Sequence, residues 1–549
     1  MAGLAVALSP ARGREALRAL FYRSALYRRI LGRGIFGTRP VDEVRLVYPE
    51  NWPEDEPAAE ALLGGELLLA GRRLPVGRVP WTPPPAGVVA ERLHGFAWLA
   101  DLKAAGDEAA QVRARELVDG WIASNAGWSL PAWRADVLGR RLAAWLAASD
   151  FLLAGADDAF RQRFVQSAAV QARHHLRTAG QRSGDAGAIA AVAGRIAAVL
   201  CLGLGSLDAA LEQLRREIDR QVLSDGGHVQ RCPAVHLAVL RDLLGIRAAL
   251  QSAQREPPLV LQGAIDRMTP MLRTFRLGDG GLALFNGGKE EDHRLIGAVL
   301  AKAGGKDKAL ASAPHTGFER LAAGRTAIVV DTGAPPPPGA DRLAHAGPLA
   351  FEMSAGRNRI VVNCGTFVGD DPRWRAAMRS TLAHSTVTVD SASALAVAAD
   401  GGLRHRRVRV TALRREADGA IWLEASHDGY RRRFGLVHKR RLYLAADGDD
   451  IRGEDELEGR GGRSFGVRFH LHPHVQASLT QDGTAVLLKP PTGRGWRFLA
   501  VGGRIGLDES AYLGVSDVPR RTEQIVVSGP LAGKGALVKW AFRREGDAG

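Results

Sequence analysis

The sequence predicts a multi-domain α + β protein, in which an array of antiparallel helices is followed by an antiparallel β-sandwich. From Leu93 to about Arg276, apolar residues recur at three- and four-residue spacing, which places them on one face of successive helices. After Gly317 the apolar period becomes two, and turn signals such as Asp418-Gly419 separate many short runs. Many strands at regular spacing are typical of a sandwich.

The chain of 549 residues is too long for one compact core. We divide it into a basic N-terminal helix with a proline-rich lead-in (1–90), a helical domain (91–318) and a β domain (319–549). The links between helices are short and rich in glycine or aspartate, so sequential helices should be antiparallel neighbours. Periodicity alone does not decide whether the helices close into a toroid.

Helices and strands are predicted wherever the apolar period is sustained. The predicted helices span Val112–Trp121, Trp133–Leu153, Phe160–Leu176, Ala188–Leu202, Leu207–Leu223, Val235–Leu250, Val260–Met271 and His293–Ala303. The predicted strands span Val44–Val47, Glu66–Leu69, Thr326–Val330, Arg407–Leu413, Ile421–Ser426, Leu436–Leu444, Phe465–His472, Ala485–Leu488, Trp496–Val501, Gln524–Val527 and Ala536–Phe542. The glycine-rich stretch Gly278–Gly288 lacks the lysine-serine pair of a phosphate-binding loop and predicts a turn-rich cleft wall.

The formal net charge of +15, most of it arginine, favours an anionic partner such as an acidic polysaccharide or a membrane surface. A solvated basic surface is the alternative. Nucleic acid is not expected, because no recognition motif accompanies the charge. The segment Arg12–Arg33 carries seven arginines against one glutamate, with apolar residues at helical spacing. It predicts a terminal helix that either lies on an anionic membrane or exposes a basic face to solvent.

Three widely separated cysteines indicate neither a disulfide framework nor a thiolate zinc site. The sequence contains no run of about 18 apolar residues, so no membrane-spanning helix is predicted. The apolar run Leu4–Leu8 is too short for a secretory signal. The expected location is therefore the cytoplasm, and the periplasm is the alternative.

Five sequence motifs stand in an order that resembles the heparinase II/III family of polysaccharide lyases over roughly residues 90 to 545. The motifs are Asp225-Gly226-Gly227-His228, Pro233-Ala234-Val235-His236, His345–Phe351, Val362–Thr366 and His384–Val387. The resemblance implies an incomplete α/α toroid followed by an antiparallel β-sandwich. It also implies β-elimination of an acidic, uronate-containing glycan in the cleft between the two.

That reaction must neutralise the uronate carboxylate, remove the C5 proton and protonate the departing O4. The resemblance and the local pattern suggest His228, His236 and His345 as catalytic candidates. The alternative for each is a structural histidine whose hydrogen bonds are made within the protein. No cofactor is required for this chemistry.

The chain departs from the family pattern at several positions. Val235 stands where the family has a tyrosine, and Gly347 stands where an aspartate is usual. Leu343 replaces a histidine that is often found, and the inner-helix Asn-His falls near Gly184–Gly187, where neither residue occurs. A non-catalytic glycan-binding or envelope-polysaccharide assembly protein is therefore the second hypothesis.

Four further residues are candidates for substrate binding. Arg231 is placed to pair with a uronate carboxylate in bidentate fashion. Arg375 and Arg379 share one face of a predicted short helix, and Trp374 supplies a surface on which a sugar ring would stack. The alternative for these arginines is a solvated surface charge.

Some members of the family hold a structural zinc, and the matching positions here are His345, Asn363 and His384. Zinc accepts histidine readily, but an amide oxygen is a poor substitute for a carboxylate. The alternative is a hydrogen-bonded cluster that ties two strands together. The identity of the glycan and the oligomeric state are left open.

Overall fold

The computed structural model describes residues 10–33, 40–50, 52–53, 55–77, 81, 86–178, 186–305, 307–398, 401–404, 408–531, 533 and 535–546. The chain divides into two compact units. Unit 1 contains Met1–Leu69, Arg73–Glu217 and Gly245–Pro258. Unit 2 contains Ala70–Arg72, Ile218–Leu244 and Leu259–Gly549.

Sixteen α-helices lie in the described part of the chain. They are α1 Pro10–Arg23, α2 Ala25–Arg33, α3 Glu56–Leu63, α4 Gly87–Gly95, α5 Leu99–Ala105, α6 Glu108–Ser124, α7 Ala135–Ala147, α8 Ser149–Leu153, α9 Asp158–Arg177, α10 Gly187–Leu202, α11 Leu207–Gln221, α12 Pro233–Ser252, α13 Leu259–Thr274, α14 His293–Ala303, α15 Pro372–Arg379 and α16 Arg431–Phe434. Aspartate side chains cap several starts, as where Asp107 accepts from the backbone N–H of Ala110 at 2.7 Å in α6.

The helices of unit 1 pack closely because small residues face each other. A Cβ atom on Gly194 of α10 would lie 2.3 Å from the Cα of Gly139 of α7, so the two backbones touch. Beside this contact, Trp145 packs edge-to-face on Phe96 and Trp121, with ring centroids 5.4 Å away in both cases. The period-3.6 apolar pattern thus becomes a single aromatic-rich core.

The strands follow the last long helix, apart from an early hairpin. They are β1 Glu66–Leu69, β2 Arg72–Pro75, β3 Ser312–Ala313, β4 Phe318–Ala323, β5 Thr326–Asp331, β6 Phe351–Ala355, β7 Asn358–Val362, β8 Val387–Val389, β9 Ala396–Val397, β10 Leu403–Arg404, β11 Val410–Ala417, β12 Ala420–His427, β13 Leu436–Leu444, β14 Asp450–Gly459, β15 Ser464–Leu471, β16 Gln476–Leu479, β17 Ala485–Lys489, β18 Trp496–Val501, β19 Arg504–Tyr512, β20 Arg520–Pro530 and β21 Ala536–Arg544.

Unit 2 contains two large antiparallel sheets. The eight-stranded sheet has the order β11-β12-β13-β14-β21-β18-β17-β16. The nine-stranded sheet has the order β19-β20-β15-β7-β6-β5-β4-β3, and β8 pairs with β15. Side chains of both sheets share one core, as where Phe351 of the larger sheet stacks on Trp540 of the smaller one at 5.7 Å. Along β13 of the eight-stranded sheet, buried residues alternate with partly exposed ones, as the period of two predicts.

A buried ion pair connects the eight-stranded sheet to the predicted site. Arg440 donates to Asp455 from Nε at 2.7 Å and from Nη2 at 3.0 Å, and both side chains are buried. Its Nη1 donates to the carbonyls of Leu349 and Ser385 at 2.8 and 2.9 Å. Because these carbonyls follow His345 and His384 closely in sequence, Arg440 holds both histidine-bearing segments in place.

Most predicted elements are observed, but the N-terminal helix predicted in Arg12–Arg33 forms two helices, α1 and α2, the strands β14 and β19 were not predicted, and other elements differ as follows. The segment predicted as one helix over Trp133–Leu153 forms two helices, α7 and α8, which are separated at Ala148. The prediction of a strand at Val44–Val47 is wrong, since the structure places these residues outside any strand. The strand predicted from Arg407 is observed from Val410, and residue 407 lies outside the described residues. Within the described ranges, no helix is both long and apolar enough to cross a membrane.

Candidate functional site

His228 is held inside unit 2 by a tight turn. Its Nδ1 accepts from the N–H of Gln230 at 3.2 Å, so Nε2 carries the proton and donates to Gln221 at 3.0 Å. Burial lowers the pKa of His228 to about 3, and the nearby His236 and Arg220 add to the effect. Both ring nitrogens are therefore engaged, and the ring is neutral at physiological pH.

Arg231 also bonds within the protein. Its Nε donates to the carbonyl of Thr316 at 2.6 Å, and its Nη atoms donate to the carbonyls of Ala334 and Gly317 at 2.9 and 3.0 Å. Its Nη2 makes an ion pair with Asp331, and each of the two residues is only 6% exposed. The guanidinium predicted to hold a uronate thus connects its loop to the first strands of the nine-stranded sheet.

His236 lies at the start of α12 and is buried. Its Nε2 is 2.9 Å from the carbonyl of Met268, so this nitrogen carries the proton. Nδ1 is then a lone pair, and no described residue gives it a hydrogen bond. Burial lowers the pKa of His236 to about 4, despite the opposing bond to Met268. Val235, where the family has tyrosine, is partly exposed beside it.

His345 and His384 form a directed pair. Nδ1 of His384 lies 2.7 Å from the carbonyl of Ser380, which can only accept, so this nitrogen carries the proton. Nε2 of His384 therefore accepts from Nδ1–H of His345 at 3.1 Å. This leaves Nε2 of His345 as a lone pair, for which the described residues provide no partner. Burial, aided by His384 and Arg379, holds the pKa of His345 well below its usual value.

Gly347 shows why this pair differs from the family pattern. A Cβ atom on Gly347 would lie 2.6 Å from the Cδ2 atom of His384. The His384 ring therefore occupies the space that an aspartate at 347 would need. The low pKa of His345 makes it a weak base near neutral pH.

Asn286 joins the predicted residues into one network, and sequence reasoning missed it. Its Oδ1 accepts from the backbone N–H of His345 at 3.1 Å, and its Nδ2 donates to the carbonyl of Arg231 at 3.1 Å. The only signal was its position in the glycine-rich stretch Gly278–Gly288. The structure thus brings Arg231, His345 and His384 together, whereas His228 and His236 make separate contacts.

The predicted metal ligand Asn363 is buried and has both ends of its amide engaged. Its Oδ1 accepts from the N–H of Ser385 at 3.0 Å, and its Nδ2 donates to the carbonyl of Leu284 at 3.2 Å. Among the residues that the structure describes, no group of three or more His, Cys, Asp or Glu is placed to hold a metal ion. His345 and His384 bond to each other, and Asn363 bonds to the backbone of Ser385 beside His384.

The substrate-binding candidates Trp374, Arg375 and Arg379 contact different partners. Arg379 donates to the carbonyl of Ala344 at 2.7 and 3.0 Å, which positions the residue before His345. Arg375 is exposed and donates to the carbonyl of Asp370 at 3.2 Å. Trp374 packs beside Phe367, with ring centroids 6.2 Å apart. Residues 184 and 185, near the expected Asn-His position, lie outside the described residues.

A second buried polar cluster was not predicted from the sequence. Arg359 pairs with Asp279 at 2.6 Å, and lies 3.7 Å from Glu352 and 3.9 Å from Glu290. Burial raises the pKa of Glu352 to about 7, against the opposing charge of Arg359. Glu290 also accepts from the hydroxyl of Tyr512. These residues come from distant parts of the sequence, so no local sequence pattern predicts the cluster.

Comparison with known proteins identifies relatives of both the sequence and the fold. Residues 305–541 match the profile of a family described as heparinase II/III-like, C-terminal. The chain is 35% identical over 516 residues to the FtsZ-localized protein C of Caulobacter vibrioides, covering 90% of this chain and 88% of that protein.

Solved structures of polysaccharide lyases share the architecture. A heparinase III crystal structure matches with a TM-score of 0.69 at 13% identity, covering 97% of this chain and 91% of its own. The heparan sulfate lyase HepC from Pedobacter heparinus matches with a TM-score of 0.60 at 17% identity, with 97% and 91% covered. The predicted class, a helical toroid followed by an antiparallel β-sandwich, is confirmed.

Proposed function

Because this chain belongs to the heparinase II/III-like family, we propose that it uses a polysaccharide lyase scaffold to bind an acidic glycan during envelope assembly, without cleaving it. One observation carries the proposal. The rings of His228, His236 and His345 are buried, neutral and hydrogen-bonded within the protein. β-Elimination needs a base that reaches the C5 proton and a group that neutralises the carboxylate.

The replaced residues support the same conclusion. Val235 has no ionisable group to exchange a proton with the sugar, and Arg231 already neutralises Asp331. Binding makes smaller demands than elimination, since it needs complementary charge and hydrogen-bonding groups. The net charge of +15 supplies the first.

The test is to incubate the full-length protein with alginate, heparin and envelope polysaccharide of the source organism. Absorbance of the unsaturated uronate measures cleavage, and calorimetry measures binding in parallel. We expect binding to at least one acidic glycan without unsaturated product. Product that forms with wild-type protein and disappears in His345→Ala would overturn the proposal in favour of a lyase.

The relative from Caulobacter vibrioides suggests where the protein acts. That protein is named for its localisation with FtsZ. We propose that this chain likewise works at the division site, where envelope polysaccharide is remodelled. A fluorescent fusion should form a midcell band that disperses when FtsZ is depleted. A uniform distribution in cells with intact FtsZ rings would contradict this part of the proposal.

The N-terminal helices offer a second contact, with an anionic membrane. Tyr27 anchors α2, since its hydroxyl lies 2.8 Å from Nδ1 of His174. In contrast, Leu17, Leu20 and Leu26 are 68%, 65% and 62% exposed within the arginine-rich segment Arg12–Arg33. Exposed leucines beside arginines suit a peripheral membrane contact.

Co-sedimentation with phosphatidylglycerol vesicles tests this contact. The double variant Leu17→Ser/Leu20→Ser should sediment less than wild type, because it loses apolar area that would enter the interface. Leu413→Ser, an exposed leucine 53% accessible elsewhere on the surface, is the control and should sediment normally. Equal sedimentation of all three proteins would remove the membrane contact from the proposal.

A further inference from the structure

The face of the eight-stranded sheet that is turned away from the sandwich core carries a groove of about 800 Å³. A single row of directly paired residues crosses it: Trp422 pairs with Tyr443, Tyr443 with Arg452, Arg452 with Ala541, and Ala541 with Leu499. Five adjacent strands contribute one residue each. At about 4.8 Å per strand the row is about 19 Å long, which suits a segment of a chain better than a single sugar.

The aromatic end of this row is open to solvent. Trp422 is 41% exposed, and its ring centroid lies 5.1 Å from that of Tyr443. The guanidinium of Arg452 lies 5.5 Å from the Tyr443 ring. Neither aromatic ring is among the buried residues of the sandwich core, so the fold does not require them. Two adjacent accessible rings provide an apolar surface of the kind on which sugar rings stack.

A charged row runs beside the aromatic row. Arg441 forms ion pairs with Glu424 at 3.5 Å and with Glu454, which also pairs with Lys539 at 3.3 Å. A protein partner with a dry interface would have to remove water from these charges, which is costly, and interface cores are depleted of them. A polyhydroxylated ligand keeps the surface wet and can exchange hydrogen bonds with it.

The charge of the groove selects among such ligands. Its charged lining residues are five cations, Arg441, Arg452, Arg504, Lys539 and Arg543, and one carboxylate, Glu454. Three further carboxylates, Glu424, Glu456 and Asp450, pair with Arg441, Arg452 and Arg543, so five cations face four carboxylates and the excess is one positive charge. The partner that complements this lining is anionic. The aromatic surface and the length of the groove indicate that this anionic partner is a chain of sugar rings.

We propose that this groove binds an extended segment of acidic polysaccharide, with sugar rings on Trp422 and Tyr443 and acidic groups at Arg452 and its cationic neighbours. The inference rests on the proposed glycan-binding function and gives it a site apart from the histidines. The groove would hold the glycan independently of any chemistry at His345.

Calorimetric titration of the full-length protein with alginate and heparin oligosaccharides tests the site. Trp422→Ala should weaken binding by about tenfold. Arg452→Gln should weaken it by about fivefold, since an exposed ion pair contributes up to about 1 kcal/mol. The loss in Arg452→Gln should shrink as salt is raised, since screening removes the ionic part for both proteins. Leu413→Ala lies on the same sheet face outside the groove and should bind as wild type does. Thermal unfolding confirms that each variant is folded.

The outcomes separate this site from the broader function. If wild type binds acidic oligosaccharides and both groove variants bind within about twofold of it, the site is wrong while the glycan-binding function stands. If wild type binds neither of these oligosaccharides nor the envelope polysaccharide of the source organism, both are overturned. Equal affinity for neutral dextran, or tighter binding of single-stranded oligothymidylate, would also overturn an acidic glycan as the occupant.

Discussion

The substitution Arg231→Met separates a structural role for this arginine from a substrate-binding role. The side chain satisfies three backbone carbonyls and pairs with Asp331 in a region where both residues are 6% exposed. Methionine keeps much of the volume but leaves the Asp331 carboxylate buried without a counter-ion. Breaking a buried pair in this way costs about 3–5 kcal/mol. We expect a loss of that size in the free energy of unfolding.

Urea unfolding followed by circular dichroism measures the loss, and pH provides a control. Burial raises the pKa of Asp331 even beside Arg231, so the variant's carboxyl should take up a proton as pH falls. A raised pKa in the folded state favours the protonated form. The stability difference between variant and wild type should therefore shrink as the pH is lowered from about 7.

The double variant Arg231→Met/Asp331→Asn completes the cycle. Removing both charges should cost less than the sum of the two single substitutions, because neither charge is then left alone. Glycan affinity of the folded variants should match wild type. A loss below about 1 kcal/mol, with weakened glycan binding, would refute the reasoning and return Arg231 to the substrate.

Three further outcomes follow from buried groups. Burial lowers the pKa of His384 to about 4, so between about pH 6.5 and about pH 4 this histidine is protonated in the unfolded chain and neutral in the folded protein. Urea titrations should show stability falling over this range by up to about 1.4 kcal/mol per pH unit for this group, and an unchanged midpoint would contradict this. Gly194→Ala should cost about 1–3 kcal/mol in thermal unfolding, because its methyl would press on Gly139. Gly297→Ala in α14 meets nothing within 4 Å and should stabilise by up to about 1 kcal/mol, since alanine is the better helix former. Asp455→Asn should cost about 3–5 kcal/mol by leaving its buried arginine unpaired, and a loss near zero would mean that the arginine reaches water.

The family and the fold class were readable from the sequence because their signals are local or ordered along the chain. Strands β13 and β18 are observed at the predicted bounds, Leu436–Leu444 and Trp496–Val501. Alternate residues of these strands enter the core and are mostly apolar, so the sequence shows a period of two. The helices from α9 to α14 follow in the same way from the 3.6-residue period.

Strand β14, Asp450–Gly459, was missed for a physical reason. Its inward positions include Gly453 and Asp455 instead of apolar residues. A Cβ at Gly453 would lie 2.1 Å from Trp540, and Asp455 is buried because Arg440 pairs with it. A glycine and an aspartate at these buried positions are favourable only because of Trp540 and Arg440 on the partner strands, so tertiary packing overrides the local pattern.

The same distinction runs through the candidate site. The sequence alone determined the order of helical and β regions, the family resemblance, and the presence of His345 and His384 at its motifs. Only the tertiary structure decided that these rings bond to each other, that Asn286 links them to Arg231, and that Arg231 pairs with Asp331, 100 residues away. The chemistry of a histidine or arginine depends on its desolvation and its partners, and those are set by contacts between residues far apart in the chain.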